Sequence, residues 1–233
     1  GSEMCIRDSD GSTCEDFVID GNVFEDVFAG VGTHSMMAGK TYKRITVTNN
    51  TFHNVKKRCI EFLNYEDSTA ENNTMVNVGL GVEVSAVNKK NTHLTQGYSG
   101  EPDAKKNRNI RVAGNYVSLA KTSSIGGIAW ISSGVKVIGY NMKNSGEVIP
   151  EGIYPVKGVT VKDNQISGYG NGISITLADT DTVTDNQVKM KKTSAYSNLG
   201  IYAEDSRGSI IKRNQVSGTC LLYTSDAADD RIS

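Results

Sequence analysis

Ile45-Thr46-Val47-Thr48-Asn49-Asn50-Thr51-Phe52 is the stretch that decides the fold. It reads apolar-x-apolar-x-x-Asn-x-apolar. The pattern returns as Val18 to Phe24 around Asn22 and as Ile110 to Val117 around Asn115. It returns again as Val159 to Ile166 around Asn164 and as Ile210 to Val216 around Asn214, with weaker copies at Asn73, Asn141 and Asn186. Successive copies lie 28, 23, 42, 26, 23, 22 and 28 residues apart. A period in the low twenties with strand-like alternation marks a β-solenoid. Alternate residues then point inward and stack on their equivalents one coil away. The repeated Asn is expected at a tight turn, in a left-handed conformation, with its amide bonded to backbone and to the next Asn. It is a building residue and not a site.

A second strand recurs between the Asn copies. It reads Gly30-Val31-Gly32-Thr33-His34, Cys59-Ile60-Glu61-Phe62-Leu63 and Gly81-Val82-Glu83-Val84-Ser85. Further copies are Gly127-Ile128-Ala129-Trp130-Ile131, Gly152-Ile153-Tyr154-Pro155-Val156, Gly172-Ile173-Ser174-Ile175-Thr176 and Gly200-Ile201-Tyr202-Ala203-Glu204. With its Asn strand and its Gly-Ile strand, the repeat resembles the right-handed parallel β-helix of the pectate-lyase-like superfamily, from about Phe17 to Gly218. The resemblance implies an all-β, single-stranded right-handed parallel β-helix of about eight coils. The 42-residue gap is explained by a polar insertion, 88–109, holding His93 and Tyr98; a second loop spans 143–151. Insertions at one corner of a solenoid project over a face, often the binding face.

The chain has 233 residues, 24 of them Gly and 3 Pro, with a net charge of −1. That balance argues against nucleic acid or an anionic membrane as partner. No apolar run is long enough to span a bilayer. The two ends differ from the rest. Met4-Cys5-Ile6-Arg7-Asp8-Ser9 and Cys220-Leu221-Leu222-Tyr223-Thr224-Ser225 resemble translated sequencing adapter. The expected division is therefore 1–9 foreign, 10–219 β-helix and 220–233 foreign, with the natural segment part of a longer protein. Cys14 and Cys59 then remain, too few for a disulfide framework or a zinc site. Cys59 stands where other second strands open with Gly, and it reads as a small buried residue.

The chemistry-bearing positions emerge from aligning the second strands. The outward position reads Gly32, Glu61, Glu83, Ala129, Tyr154, Ser174, Tyr202. Two residues on, it reads His34, Leu63, Ser85, Ile131, Val156, Thr176, Glu204. Glu61 and Glu83 are expected to stack as a carboxylate pair about 5 Å apart, with His34 diagonal to Glu61 and Lys57 and Arg58 just before it. Two such carboxylates must share a proton, bind a cation or take a basic neighbour. A Ca²⁺ between Glu61 and Glu83, with Lys57 or Arg58 as base, would resemble the polysaccharide lyases of this superfamily. The same pair could serve glycoside hydrolysis, or be solvated surface residues ion-paired to Lys57 or Arg58. Tyr154, Tyr202 and Tyr98 are the candidates for stacking on sugar rings. The paired-Asp and Gly-His-Gly pattern of polygalacturonases is missing, as are the Trp-x-Asp-His and Arg-x-Pro-x-x-Arg patterns of the main pectate lyases.

These residues lead to one expectation: a secreted or cell-surface protein acting on a uronate-containing polysaccharide, monomeric and aided by Ca²⁺. The alternatives are a non-catalytic β-helix segment of an adhesin and a tailspike-type glycan-binding stem, which would be trimeric. Open strand edges at the end coils also favour end-to-end association.

Overall fold

The computed structural model describes residues 14–33, 42–86, 107–121, 132–139, 154–191 and 199–218, and the backbone alone of 4–6 and 220–225. Among these residues the chain is all-β, and the pairings between its strands are parallel. Three long sheets carry the structure. The first holds Val18–Asp20, Thr46–Thr48, Thr69–Glu71, Arg111–Ala113, Thr160–Lys162, Thr182–Thr184 and Ile210–Lys212. The second, entered after the Asn turn, runs from Val23–Glu25 through Thr51–His53, Thr74–Val78, Tyr116–Leu119, Gln165–Gly168 and Gln187–Met190 to Gln215–Ser217. The third, or long, sheet orders Met4–Ile6, Val31–Thr33, Arg58–Leu63, Leu80–Ser85, Ser133–Ile138, Asn171–Thr176, Leu199–Glu204 and Cys220–Ser225. The chain visits the sheets in rotation and each strand pairs with its counterpart one coil on, an order consistent with a parallel β-helix. Both terminal stretches that resemble adapter thus lie as outer strands of the long sheet.

Inward positions stack by register, and this makes the core. Ile19, Val47, Ala70, Val112, Val161 and Val183 align in the first sheet. In the second, Phe24 and Phe52 align, with rings stacked at 4.6 Å and 6°. In the long sheet Val31, Ile60, Val82, Val135, Ile173 and Ile201 align and are almost fully buried.

The Asn ladder holds, with two corrections. The Asn50 backbone N–H donates to Asn73 Oδ1, Asn73 to Asn115 Oδ1 and Asn115 to Asn164 Oδ1, each at 3.0 Å. Asn22, Asn186 and Asn214 extend it at the ends. Asn115 therefore meets Asn164 directly, and no coil centred on Asn141 stands between them; Asn141 itself lies outside the described residues. The left-handed residue is also not the ladder Asn but the one before it: Gly21, Asn49, Asn72, Gly114, Asp163, Asp185 and Arg213. The positive φ there makes the corner, and it turns the following Asn amide in toward the backbone of the coils on either side.

The long sheet corrects the register as well. Its strand between Leu80–Ser85 and Asn171–Thr176 is Ser133–Ile138, with Val135 opposite both Val82 and Ile173. It takes the place expected for the strand opening at Gly127, which lies outside the described residues together with Trp130. Glycines mark the entry to this sheet. A Cβ on Gly172 would sit 2.3 Å from the carbonyl oxygen of Gly200, and one on Gly134 2.3 Å from Ile166 Cγ2. In the same column Cys59 is fully buried, as its substitution for Gly implied.

Candidate functional site

The outward column of the long sheet builds the site. Glu61 pairs with Glu83, Glu83 with Lys136, Lys136 with Ser174, and Ser174 with Tyr202. The expected Glu61–Glu83 juxtaposition is present. Ala129 and Tyr154 are expected in turn between Glu83 and Ser174; Lys136 alone fills that place, and Ala129 lies outside the described residues. Sequence reasoning missed Lys136, although Gly134-Val135-Lys136-Val137 carries the same Gly-apolar-x-apolar signal as the run chosen from Gly127.

Arg58 ties the two carboxylates together. Its Nη1 donates to Glu61 Oε1 at 2.5 Å, and its Nε lies 3.2 Å from Glu83 Oε2. Lys136 Nζ is 3.9 Å from the same Glu83 oxygen. The acids are not solvated surface residues: Glu61 is 7% and Glu83 2% exposed. The basic side chains reach further out, with about a fifth of Arg58 and Lys136 exposed. The guanidinium occupies the bridging place between Glu61 and Glu83 that the sequence suggested for Ca²⁺. Among the described residues no group of three or more His, Cys, Asp or Glu gathers as a metal site.

The electrostatics follow from burial. Loss of hydration pushes the Glu61 carboxyl up to about 7; Arg58 and Lys57 pull it down, while the Glu83 carboxylate pushes it further up. Burial works against the Arg58 charge, but Glu83 and Glu61 outweigh it and hold that guanidinium above its usual value. Among the described residues two buried atoms on the same strand, Glu83 Oε1 and Ser85 Oγ, have no hydrogen-bond partner. Such orphans are rare in a settled core and mark a place where a further donor fits.

The other expected residues scatter. Lys57 Nζ lies 5.7 Å from the Phe28 ring centroid, while its charge still acts on Glu61. Tyr202 stays in the outward column, opposite Ser174. Tyr154 lies outside the long sheet, and the Arg207 guanidinium covers its ring at 4.5 Å. That guanidinium in turn reaches Asp179 at 3.2 Å, beside Lys157 at 3.3 Å. One ring face of Tyr154 is thus already occupied. His34 and Tyr98 lie outside the described residues.

Fold and cluster together define an all-β parallel solenoid with a partly buried Glu-Arg-Glu-Lys group on its longest sheet. No protein-family model matches the sequence, and no curated protein or solved structure matches it.

Proposed function

We propose that the chain is a carbohydrate-active, right-handed β-helix of the pectate-lyase-like kind, secreted or displayed at the cell surface. It acts as a lyase on a uronate-containing polysaccharide. The observation that carries this reading is that Arg58 joins Glu61 and Glu83, which share one outward column with Lys136, with Glu61 poised near neutrality. Arg58 and Lys136, the more exposed members, meet the uronate carboxylate. Drawing charge off that carboxylate acidifies the ring proton beside it. Ionised Glu61 takes the proton, the bond to the neighbouring sugar's glycosidic oxygen breaks as the ring double bond forms, and the departing oxygen takes a proton from water to leave as a hydroxyl. A positioned base of this kind contributes about 10²–10⁴-fold. Glu83 is a positioning residue: it holds Arg58 in place and does not touch the sugar.

Because Arg58 bridges the acids, this reading needs no Ca²⁺ at the pair. The test follows absorbance of unsaturated uronate over pectin, alginate and glycosaminoglycans, with Ca²⁺ and with EDTA. Activity that persists in EDTA and falls at least 100-fold in Glu61→Gln supports the assignment. Silence over the panel by a folded protein overturns it.

A second reading has its own support. Arg58 pairs with both carboxylates without a ligand, as in a structural buried ion cluster. Under that reading the chain is a non-catalytic segment of a surface protein, or a trimeric tailspike-type stem, and Glu61→Gln changes stability alone.

A further inference from the structure

The outer face of the second sheet carries a groove of about 420 Å³, away from the Glu61 column. Two outward columns floor it. In one, Tyr116, Gln165, Gln187 and Gln215 stand opposite one another on four successive strands. In the other, two residues along, Ser167 stands opposite Lys189. Earlier coils place Val23, Thr51 and Thr74 at the Gln position, so the amide run begins only where the groove begins.

The amides are available. Gln165, Gln187 and Gln215 are exposed, and among the described residues their side chains make no hydrogen bond. Stacked glutamines commonly bond one another along the stacking axis; these leave both donor and acceptor free at a repeat of about 4.8 Å. Tyr116, 44% exposed, offers an apolar ring face at one end. Lys189 is exposed and has no carboxylate partner among the described residues. Among the described residues it is the one charged side chain lining the groove.

We infer that this groove is a second, non-catalytic binding site for a linear acidic polysaccharide laid along the solenoid axis. Each Gln amide takes hydroxyls of one sugar unit, Tyr116 stacks on a ring, and Lys189 pairs with a uronate carboxylate. A neutral polymer would leave Lys189 unused, and a densely anionic one such as nucleic acid would find a single cation among amides. The inference goes beyond the catalytic reading and needs no chemistry at Glu61.

The experiment is calorimetric titration with short oligogalacturonates in a Glu61→Gln background, which prevents turnover. Cello-oligosaccharides serve as the neutral control. Binding is expected to persist in that background, to fall at least tenfold in Lys189→Ala and in Gln187→Ala, and to weaken with salt. Thermal melts check that each variant is folded. The inference is overturned by no oligogalacturonate binding, by groove variants that bind as before, or by equal affinity for the neutral oligosaccharide. Groove-dependent binding by a protein with no lyase activity would sink the catalytic reading and leave this one standing.

Discussion

At the scale of single residues, two buried acids set the pH behaviour. Glu61 and Asp181 are both raised to about 7, chiefly by burial. Asp181 Oδ1 accepts the Val159 N–H at 2.9 Å, while among the described residues no hydrogen bond meets Oδ2. Its neighbour Asp179 adds repulsion. An acid whose pKa is higher folded than unfolded binds its proton more tightly when folded. Its stabilising effect is whole below the ordinary carboxylate pKa and disappears as pH rises through about 7. For Asp181 this removes on the order of 4 kcal/mol between about pH 4 and pH 8. Asp181→Asn keeps the acceptor for Val159 and cannot ionise. Urea melts from pH 5 to pH 8 should therefore fall off less steeply in the variant; Glu61, acting in the same direction, leaves some slope. An equal slope in both proteins would show that Asp181 is not held protonated. Glu61 should also appear in catalysis. As a base it works ionised, so lyase rates should drop about tenfold per pH unit below about 7. A flat profile there excludes it as the base.

Local sequence showed much of this site, but not all of it. The Glu61–Glu83 pair was legible because Cys59 to Leu63 and Gly81 to Ser85 are adjacent strands with no insertion between them. Arg58 was legible as a neighbour, but not as the bridge, since a side chain's reach across coils depends on burial. Lys136 was lost because two Gly-apolar runs, from Gly127 and from Gly134, fit the same template. Only pairing with Val82 and Ile173 chooses between them.

At the scale of elements, the turn ladder and the glycine column make separable claims. The Asn115 Oδ1 accepts from both the backbone N–H and the side chain of Asn73, and its amide donates to the Ala70 carbonyl at 2.9 Å. Asn115→Ala strands a buried N–H and a buried carbonyl, which costs about 2–4 kcal/mol. Urea unfolding should show that loss. A cost below about 0.5 kcal/mol would mean water replaces the amide. Gly172→Ala tests the close approach between coils. Its Cβ would press on the Gly200 carbonyl oxygen and on Val188 Cγ1, both at 2.3 Å. Backbone must move, so a loss of about 1–3 kcal/mol is expected, read as a lower melting temperature.

At the scale of the whole molecule, a solenoid is nearly one-dimensional: each coil touches only its neighbours, and stability sums over interfaces. Asn22 sits at the end of the ladder. It donates to Asn50 Oδ1, and no described Asn donates to it. Asn22→Ala should thus cost less than half of what Asn115→Ala costs in the same urea experiment. Equal costs would show that the chain unfolds without regard to position along the axis. By itself the sequence determined the all-β class, the inward columns and the Asn ladder, because each is written again in every coil and repetition averages out local ambiguity. Only the tertiary structure decided that Asn115 stacks on Asn164, that Ser133–Ile138 completes the long sheet, and that Glu61 and Glu83 are buried around Arg58. The physical reason is that these depend on which distant segments share a coil. Linear spacing cannot say how much chain is looped out between two strands, or what hydration remains once they meet.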